Sequence, residues 1–429
     1  MSVNLEELAK FFGREGPVLL LESQSQDHPW SKKSYLAALP EAVIKARDER
    51  ITVIEGGDSK QFNGSPWNAL QTFRNSHNDW LFGYLGYDLK NHLEELSSQN
   101  HDDVEAPDMY FMVPGFLLEF DRSTGQSRVL KGSLPEKMEG AFAEETSFSI
   151  EELEYRTSRL RYLEMIETAQ ERIKEGEFYE INLSHQMTTG FNGSTFELYR
   201  KMKNVGPVPF GAYMQFDGIT VCCQSPERFL RKEGSTVFSQ PIKGTSKRGE
   251  NAGEDEKLKE ELLSSPKERA ENLMIVDLVR NDLSRIASRG SVEVPELFSI
   301  QSFGTVHQMV STVTAEASEA DPVNILKVCF PMGSMTGAPK IRTMKSIEEL
   351  EDYRRGIYSG AIGYIKPNAD FDFNVVIRSA VIRKSRLYYS VGGAITGDSD
   401  PQKEWTETQV KAKALLDTES TLEKEETAP

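Results

Sequence analysis

The clearest helical pattern lies in the second half of the chain, where apolar residues recur at intervals of three or four. The members of this stripe are Leu273, Val276, Val279, Leu283 and Ile286. A shorter stripe near the C-terminus consists of Val410, Ala414 and Leu415, and the segment from Arg156 to Glu175 also has a helical pattern. Because this spacing places apolar side chains on one face, each segment predicts a helix.

Short apolar runs predict strands in the N-terminal part of the chain. These runs cover residues 18–21, 51–54, 80–84 and 116–120. Glycine-rich turns mark many of the strand ends, and helical segments alternate with strand-like ones in both halves. The pattern is typical of an α+β fold.

The part of the chain up to about residue 150 matches the family motifs given below less well than the part that follows. We predict an N-terminal region over residues 1–150, a main region over residues 155–416 and a disordered acidic tail over residues 417–429. A polar, acidic stretch from Glu136 to Glu152 separates the first two. The length of 429 residues allows two or three domains, but it also fits one large unit of intertwined sheets.

The charge and composition of the chain exclude some classes of function. The net charge of −17 argues against binding to nucleic acid or to an anionic membrane surface. Neither a signal-peptide pattern nor an apolar run of membrane-spanning length is present, so we expect a cytoplasmic protein. The cysteines Cys222, Cys223 and Cys329 are too few and too awkwardly spaced for a disulfide framework, which predicts buried free thiols.

Lys243 is the first residue to suggest chemistry. It lies in the apolar, glycine-bounded turn Gln240 to Thr245, where loss of water would lower the pKa of the amine and make it nucleophilic. Glu227, in a similarly apolar setting, is a candidate general acid. An amine and a carboxylic acid suit displacement of a hydroxyl group, although most lysines and glutamates are ordinary surface residues.

Two pairs of glutamates share a spacing that suggests a metal site. Glu268 and Glu271 are three residues apart, and Glu404 and Glu407 repeat the interval. Residues three apart lie on the same face of a helix, so each pair projects two carboxylates in one direction. If the two helices meet, the carboxylates would need a hard cation, and Mg²⁺ fits best. Either pair alone would more often be a solvated helix face.

A family resemblance becomes plain from a longer series of motifs. The matching segments include FYEINLS at residues 178–184, SPERF at 225–229, PIKGT at 241–245, ENLMIVDLVRND at 271–282, FPMGSMTGAPKIRTM at 330–344, RRGIYSGAIGY at 354–364 and VVIRSA at 375–380. Together with residues 398–413 they span about residues 155–416 in family order, which is far more specific than one short motif. The chain resembles the chorismate-utilising enzymes. The resemblance implies two large, mainly antiparallel sheets packed as a sandwich with helices outside, as in anthranilate synthase component I.

Within that family, the position of Lys243 separates two activities. Anthranilate synthases normally carry alanine there, whereas the lysine of PIKGT is typical of aminodeoxychorismate synthases. The resemblance implies that Lys243 attacks C2 of chorismate as a covalent nucleophile, so that ammonia enters at C4 and gives the precursor of 4-aminobenzoate in folate biosynthesis. Anthranilate synthase component I and a catalytically silent chorismate-binding relative remain the alternatives.

The resemblance also implies roles for the other candidate residues. Glu227 would protonate the departing C4 hydroxyl group. Glu271 and Glu407 match the direct Mg²⁺ ligands, with Glu268 and Glu404 as the outer pair that holds the metal's waters. The substrate-binding positions that it implies are Gly244, Thr245, His307, Ser334, Tyr358, Arg378, Gly392, Gly393 and Lys411.

Two further expectations concern ammonia and Glu180. None of the three cysteines lies in a Gly-x-Cys-x-Gly elbow, so ammonia would have to come from a separate glutamine amidotransferase subunit. Glu180 occupies a site that is commonly glutamine in amine-transferring relatives and lysine in water-activating ones. The absence of lysine there argues against water activation.

Overall fold

The computed structural model describes residues 4–24, 31–136, 147–303, 306–317 and 320–412. The predicted tail over residues 417–429, the end of the main region and the apolar residues Ala414 and Leu415 lie outside these ranges. So does most of the predicted acidic separator.

The helices lie at intervals along the whole described chain. They are α1 (Leu5–Glu15), α2 (Pro66–His77), α3 (Arg159–Lys174), α4 (Thr195–Val205), α5 (Ala252–Ser264), α6 (Pro266–Ser284), α7 (Pro322–Cys329), α8 (Lys340–Leu350) and α9 (Pro401–Lys411). Two short 3₁₀ helices cover Tyr87–His92 and Gly333–Met335. Many begin at an Asn, Ser or Asp whose side chain accepts hydrogen bonds from the first turn, as Asp400 does for α9.

The strands of the N-terminal region include all four predicted runs. These strands are β1 (Val18–Glu22), β2 (Lys33–Arg47), β3 (Arg50–Glu55), β4 (Asp58–Asn63), β5 (Leu81–Leu85), β6 (Met109–Asp121), β7 (Gln126–Lys131) and β8 (Phe148–Ile150). The main region contributes β9 (Glu154–Tyr155), β10 (Glu180–Gly193), β11 (Phe210–Phe216), β12 (Ile219–Ser225), β13 (Arg228–Glu233), β14 (Thr236–Gln240), β15 (Ile242–Lys247), β16 (Glu293–Ser302), β17 (Val306–Glu316), β18 (Gly337–Ala338), β19 (Ala361–Ile365), β20 (Phe371–Asn374), β21 (Ser379–Arg383) and β22 (Arg386–Ile395).

Two antiparallel layers enclose the central core. One layer runs through β10, β22, β21, β12, β11 and β1, and the other through β5, β19, β20, β13, β14 and β17. Leu19 of the first layer and Phe82 of the second belong to the same buried cluster between them. The expectation of a sandwich is therefore confirmed.

Helices cover the outer faces of both layers. Helices α1 and α4 pack over the first layer, whereas α2, α6 and α7 pack over the second. Leu20 points to the helices of its layer while its neighbour Leu19 points inward. Strands buried on both faces are apolar at successive positions, which explains the unbroken run at residues 18–21.

Strands β2 and β6 take part in both layers. The first part of β2 pairs with β1, the register shifts between Pro40 and Ala42, and the second part pairs with β3. Strand β6 follows β2 along this whole length. The pairings of β1 with β11 and of β5 with β19 then join the N-terminal region to the main region.

The predicted helices are present, but two details of their apolar stripes were wrong. Val276 and Leu283 of α6 are buried, whereas Leu273 is 44% exposed. In α9, Val410 is 64% exposed, and the buried positions are the polar residues Glu404 and Thr408. The burial of a carboxylate and a hydroxyl in place of an apolar side chain indicates that this helix faces a polar site.

The three cysteines are buried and free, as predicted. Burial raises the pKa of the Cys222 and Cys223 thiols, which keeps both protonated and unreactive. No helix among the described residues is both long and apolar enough to span a bilayer.

Candidate active site

The carboxyl group of Glu227 lies in a closed, mostly apolar setting next to the start of β13. The Ser334 hydroxyl donates a hydrogen bond of 2.8 Å to Glu227 Oε1. A cavity of about 20 Å³ adjoins both residues, and Ile275 and Val279 are part of its apolar wall. Burial raises the pKa of Glu227 to about 7, although the bond from Ser334 and the charge of Lys243 oppose the shift. Glu227 therefore holds a proton that it can give away near neutral pH.

Ser334 was expected to bind substrate, and its contact with Glu227 predicts a kinetic effect. Replacement Ser334→Ala removes a hydrogen bond that favours the ionised carboxylate, so the pKa of Glu227 should rise. In the pH profile of kcat/KM, the fall in activity on the alkaline side should then move to higher pH by about one unit. A pH profile of the purified variant measures this shift. A fall at the same pH as in the wild type would contradict the assignment of Glu227 as the acid.

Lys243 and Glu180 form a buried ion pair. Lys243 Nζ donates a hydrogen bond of 2.8 Å to Glu180 Oε1, and their side chains are 11% and 1% exposed. Burial lowers the pKa of Lys243, but Glu180 and the nearby Glu271 and Glu227 more than offset this, so the pKa is raised. The expectation that the turn itself lowers this pKa was wrong, because the amine is surrounded by carboxylates that the sequence placed far away.

Gly244 follows Lys243 in β15 with a φ of 85°, a conformation that favours glycine. A Cβ atom at this position would lie 2.9 Å from Glu268 Oε2 and 3.2 Å from the side chain of Leu262. Glycine therefore allows the lysine strand to approach α6 and its carboxylates closely. The neighbouring Thr245 is solvent-exposed.

Three of the four glutamates of α6 and α9 lie near one shared lysine, Lys267. Burial is the largest influence on the pKa of Glu271, Glu404 and Glu407, and the charge of Lys267 lowers the pKa of each. Burial raises the pKa of Glu271 to about 7 and also raises that of Glu404. The pKa of Glu407 is lowered, because Lys411, at 2.8 Å, outweighs burial.

This donor set has the chemistry that a hard cation requires, since it offers only carboxylate oxygens and two of the carboxyl groups are poorly stabilised as ions. As the side chains stand, no group of three or more His, Cys, Asp or Glu among the described residues is close enough to hold one metal ion. A cation would therefore have to draw the carboxylates of α6 and α9 together.

Gly392 and Gly393 lie within β22, paired with β10, and adjoin α9. Lys411 Nζ donates a hydrogen bond of 3.0 Å to the Gly392 carbonyl oxygen. A Cβ atom on Gly393 would lie 3.2 Å from Glu404 Oε2. The lysine, the two glycines and Glu404 therefore lie together, and their role in binding substrate stays a prediction.

Arg378 is a partly buried cation that has no counter-ion within the described part of the chain. Its guanidinium makes no hydrogen bond or ion pair there, and loss of water around it lowers its pKa. The nearby Tyr389 hydroxyl is buried and also has no hydrogen-bond partner among the described residues. Tyr358 is buried close to Tyr389. A partly buried, unpaired guanidinium beside phenol groups indicates a site for an anion.

His307 is placed differently from the expectation. Its Nε2 atom lies 3.0 Å from Asp255 Oδ1 and its Nδ1 atom 2.8 Å from Ser302 Oγ, and Arg248 holds Asp255 from the other side. Both ring nitrogens therefore have protein partners. Contact with a substrate carboxylate would require one of these bonds to be exchanged, so that role stays a prediction.

A buried ion pair behind the site was missed from the sequence. Glu351 and Arg355 are each 1% exposed at the side chain and contact at 2.6 Å. Arg355 also donates to the carbonyl oxygens of Met335 and Asn182, and Glu351 accepts from the amide and hydroxyl of Ser184. The pair ties the strand that carries Glu180 to the turn that carries Ser334. A glutamate and an arginine four positions apart in the sequence gave no sign of this role.

Comparisons with known proteins agree with the geometry. A family model described as chorismate binding enzyme matches residues 16–417. The chain therefore belongs to the chorismate binding enzyme family, and it is a chorismate-utilising enzyme.

Relatives of both amine-transferring types are similar to this chain. It is 33% identical to aminodeoxychorismate synthase component 1 of Escherichia coli (strain K12), over 93% of this chain and 92% of that protein. It is 32% identical to anthranilate synthase component 1 of Aquifex aeolicus (strain VF5), over 93% and 88%. The crystal structure of anthranilate synthase component I from Streptococcus pneumoniae TIGR4 matches with a TM-score of 0.80, 27% identity and coverage of 91% and 93%. Overall similarity does not separate the two types.

Proposed function

We propose that this protein is the chorismate-aminating component of an aminodeoxychorismate synthase, and that it forms 4-amino-4-deoxychorismate from chorismate and ammonia. The observation that carries the proposal is the placement of Lys243: its amine and the carboxyl group of Glu227 lie close enough that the charge of each influences the pKa of the other. A nucleophile and a general acid are thus both present for displacement of a hydroxyl group.

The proposed reaction has two displacements. Lys243 Nζ adds to C2 of chorismate, both ring double bonds shift toward C4, and the C4 hydroxyl leaves as water with the proton of Glu227. Ammonia then adds to C4, both double bonds shift back, and the bond between C2 and Lys243 breaks. The covalent step at C2 directs the new amine to C4, because C2 is occupied when ammonia arrives.

We propose Mg²⁺ as the cofactor, held by Glu271 and Glu407 directly, with Glu268 and Glu404 holding its waters. When bound, the ion would supply positive charge to the ring carboxylate of chorismate. Cationic side chains of the protein would bind the other carboxylate of chorismate. Lys411 lies beside the glycines of β22, and the guanidinium of Arg378 is unpaired among the described residues.

A separate glutamine amidotransferase is the proposed source of ammonia, which fits the name "component 1" of the relatives. Without that partner, free ammonia should serve as the nucleophile. The product would then be a substrate for a separate lyase that forms 4-aminobenzoate, and we place this protein in folate biosynthesis in the cytoplasm.

Anthranilate synthase component I is the second candidate, because relatives and a solved structure of that type match over the same length. In that reaction the amine enters at C2 directly. A lysine whose amine already reaches the buried site would have no function in direct C2 amination, so Lys243 favours the first candidate.

Arg378 should contribute to substrate binding rather than to bond breaking. In Arg378→Met the bidentate, charge-assisted contact with a carboxylate is lost, which typically costs about 2 kcal/mol or more. The KM for chorismate should rise roughly 30-fold or more while kcat changes much less. Steady-state kinetics measure both. Arg383→Met is the matched control on β21, since Arg383 pairs with Glu105 at the surface. An unchanged KM for chorismate in Arg378→Met would contradict the assignment of Arg378 to the substrate site.

The identity of the product tests the proposed function. The purified chain is incubated with chorismate, a magnesium salt and an ammonium salt at mildly alkaline pH, and the product is identified by mass and by a 4-aminobenzoate-forming lyase. Conversion to 4-aminobenzoate supports the proposal. Anthranilate would establish the second candidate, and chorismate bound without any product would indicate a silent relative.

A further inference from the structure

Glu180 has a feature that the proposed reaction does not yet use. It lies at the start of β10 with a side chain that is 1% exposed. One oxygen, Oε1, accepts the hydrogen bond from Lys243, whereas the other, Oε2, is buried without a hydrogen-bond partner among the described residues. A buried carboxylate oxygen with no hydrogen-bond donor is energetically costly, and its lone pairs are not engaged by any other described group.

Glu180 is the one direct acceptor of Lys243 among the described residues, through the ion pair between them. The carboxyl groups of Glu271 in α6 and of Glu227, just before β13, influence the charge of Lys243 but form no hydrogen bond with it there. An ammonium group cannot attack carbon until it loses a proton, and the acceptor already in hydrogen-bond contact is Glu180.

We propose that Glu180 is a catalytic residue, which carries the proton of Lys243 during the reaction. The inference rests on the proposed function and deepens it. The carboxylate takes one proton from Nζ, and the lone pair so released forms the bond to C2. As the bond between C4 and oxygen breaks, Glu227 gives its proton to the leaving oxygen, and water is released. The Lys243 nitrogen is then a secondary ammonium, Glu180 is neutral and Glu227 is ionised.

The second displacement returns both protons. When ammonia forms its bond to C4, the bond from C2 to nitrogen breaks and the electron pair stays on Nζ as a neutral amine. Nζ takes back the proton held by Glu180, and the new ammonium at C4 gives one proton to Glu227. Both carboxyl groups and the lysine are then as they were at the start.

Replacement Glu180→Gln separates proton carriage from a purely electrostatic role. Glutamine has the same shape as glutamate, and its amide oxygen can still accept the hydrogen bond from Lys243 Nζ, but the amide cannot take up a proton. If Glu180 acts through its charge alone, the loss lowers the pKa of Lys243, and attack at neutral pH becomes faster. If it carries the proton, attack at neutral pH slows roughly 100-fold and recovers as the pH rises far enough to deprotonate Lys243.

The attack itself is measured without ammonia. Each protein is mixed with chorismate and a magnesium salt, quenched at short times and digested, and the mass of the Lys243 peptide reports the covalent adduct. We expect slower, pH-dependent adduct formation in Glu180→Gln. Adduct formation that is as fast as or faster than in the wild type at neutral pH would overturn the proposal.

A second variant, Glu180→Ala, tests the proposal independently in case Glu180→Gln does not fold. In Glu180→Ala, added formate should restore part of the rate of adduct formation, because a small carboxylate fills the space and accepts the proton. Lys243→Ala is the control that forms no adduct with or without formate. Absence of rescue in a folded Glu180→Ala would also count against proton carriage.

The outcomes distinguish the two proposals. If the wild type forms no Lys243 adduct and yields anthranilate, both the proposed function and the role of Glu180 are overturned. If the wild type forms the adduct and the C4 amine, while Glu180→Gln forms them at the same rate and with the same pH dependence, the proposed function stands and proton carriage fails.

Discussion

Lys243→Ala should lose formation of the C4-aminated product, with a fall in rate on the order of 1,000-fold or more. The reason is that the variant lacks the nucleophile that would occupy C2, while Glu227 and the carboxylates of α6 and α9 are left in place. Because C2 is then open to ammonia, a small amount of anthranilate should appear. Separation of the products by mass and fluorescence gives both rates in a single assay.

The control for this variant lies on the same strand. Lys247 ends β15 and its side chain is 73% exposed, with a pairing to Glu254 at 4.0 Å. Lys247→Ala should retain wild-type rates and products. Lys243→Ala with an unchanged yield of the C4 amine would defeat the assignment of the nucleophile, since no covalent step at C2 could then be required.

Glu227→Gln should reduce turnover roughly 100- to 10,000-fold, the usual range for a lost general acid. The amide preserves the shape of the side chain and an oxygen to accept the bond from Ser334, but it cannot protonate the C4 oxygen. Chorismate binding should change little. Steady-state kcat and an independent binding measurement together test this expectation.

The same substitution should stabilise the fold at neutral and alkaline pH. The pKa of Glu227 is raised from 4.5 to about 7 in the folded state, so the folded state binds the proton more tightly than the unfolded state. The free energy of unfolding therefore falls as pH rises from about 4.5 to about 7, by up to about 3 kcal/mol. In Glu227→Gln this fall in the free energy of unfolding should be absent, because the amide does not ionise.

Chemical denaturation at several pH values measures the effect. Glu233→Gln is the control, because Glu233 ends the strand β13 that follows Glu227 and its side chain is 63% exposed. This variant should leave both activity and the pH dependence of stability unchanged. A Glu227→Gln variant that keeps more than about a tenth of wild-type turnover would rule out Glu227 as the acid.

Much of the candidate site was predictable from motifs, because the residues proposed to do chemistry lie in short segments with fixed spacing. Glu227, Lys243 and the glutamate pairs are examples. What motifs could not supply is the distance between segments. Glu180 lies 2.8 Å from Lys243 although the two are far apart in sequence, and this contact reverses the direction expected for the pKa of the lysine. The link between Arg355 and the backbone of β10 was invisible for the same reason.

The fold was predictable in class but not in arrangement. Periodicity and apolar runs located α3, α6 and α9 and the strands β1, β3, β5 and β6, whereas the two-layer sandwich came from the family resemblance. Apolar runs such as residues 18–21 are compatible with any strand buried on both faces. Val410 shows the limit of the helical rule, because α9 buries Glu404 and Thr408 toward the site and exposes an apolar residue instead.

The passage of β2 and β6 through both layers has a consequence for how this chain can change over evolution. Cutting the gene between the two regions would leave β1 and β5 without β11 and β19, so each fragment would carry unpaired strand edges beside half of an apolar core. Such fragments tend to aggregate rather than fold. The N-terminal region therefore cannot be exchanged or lost as a module, and gene fusions that add an ammonia-supplying domain are restricted to the ends of the unit or to its surface loops.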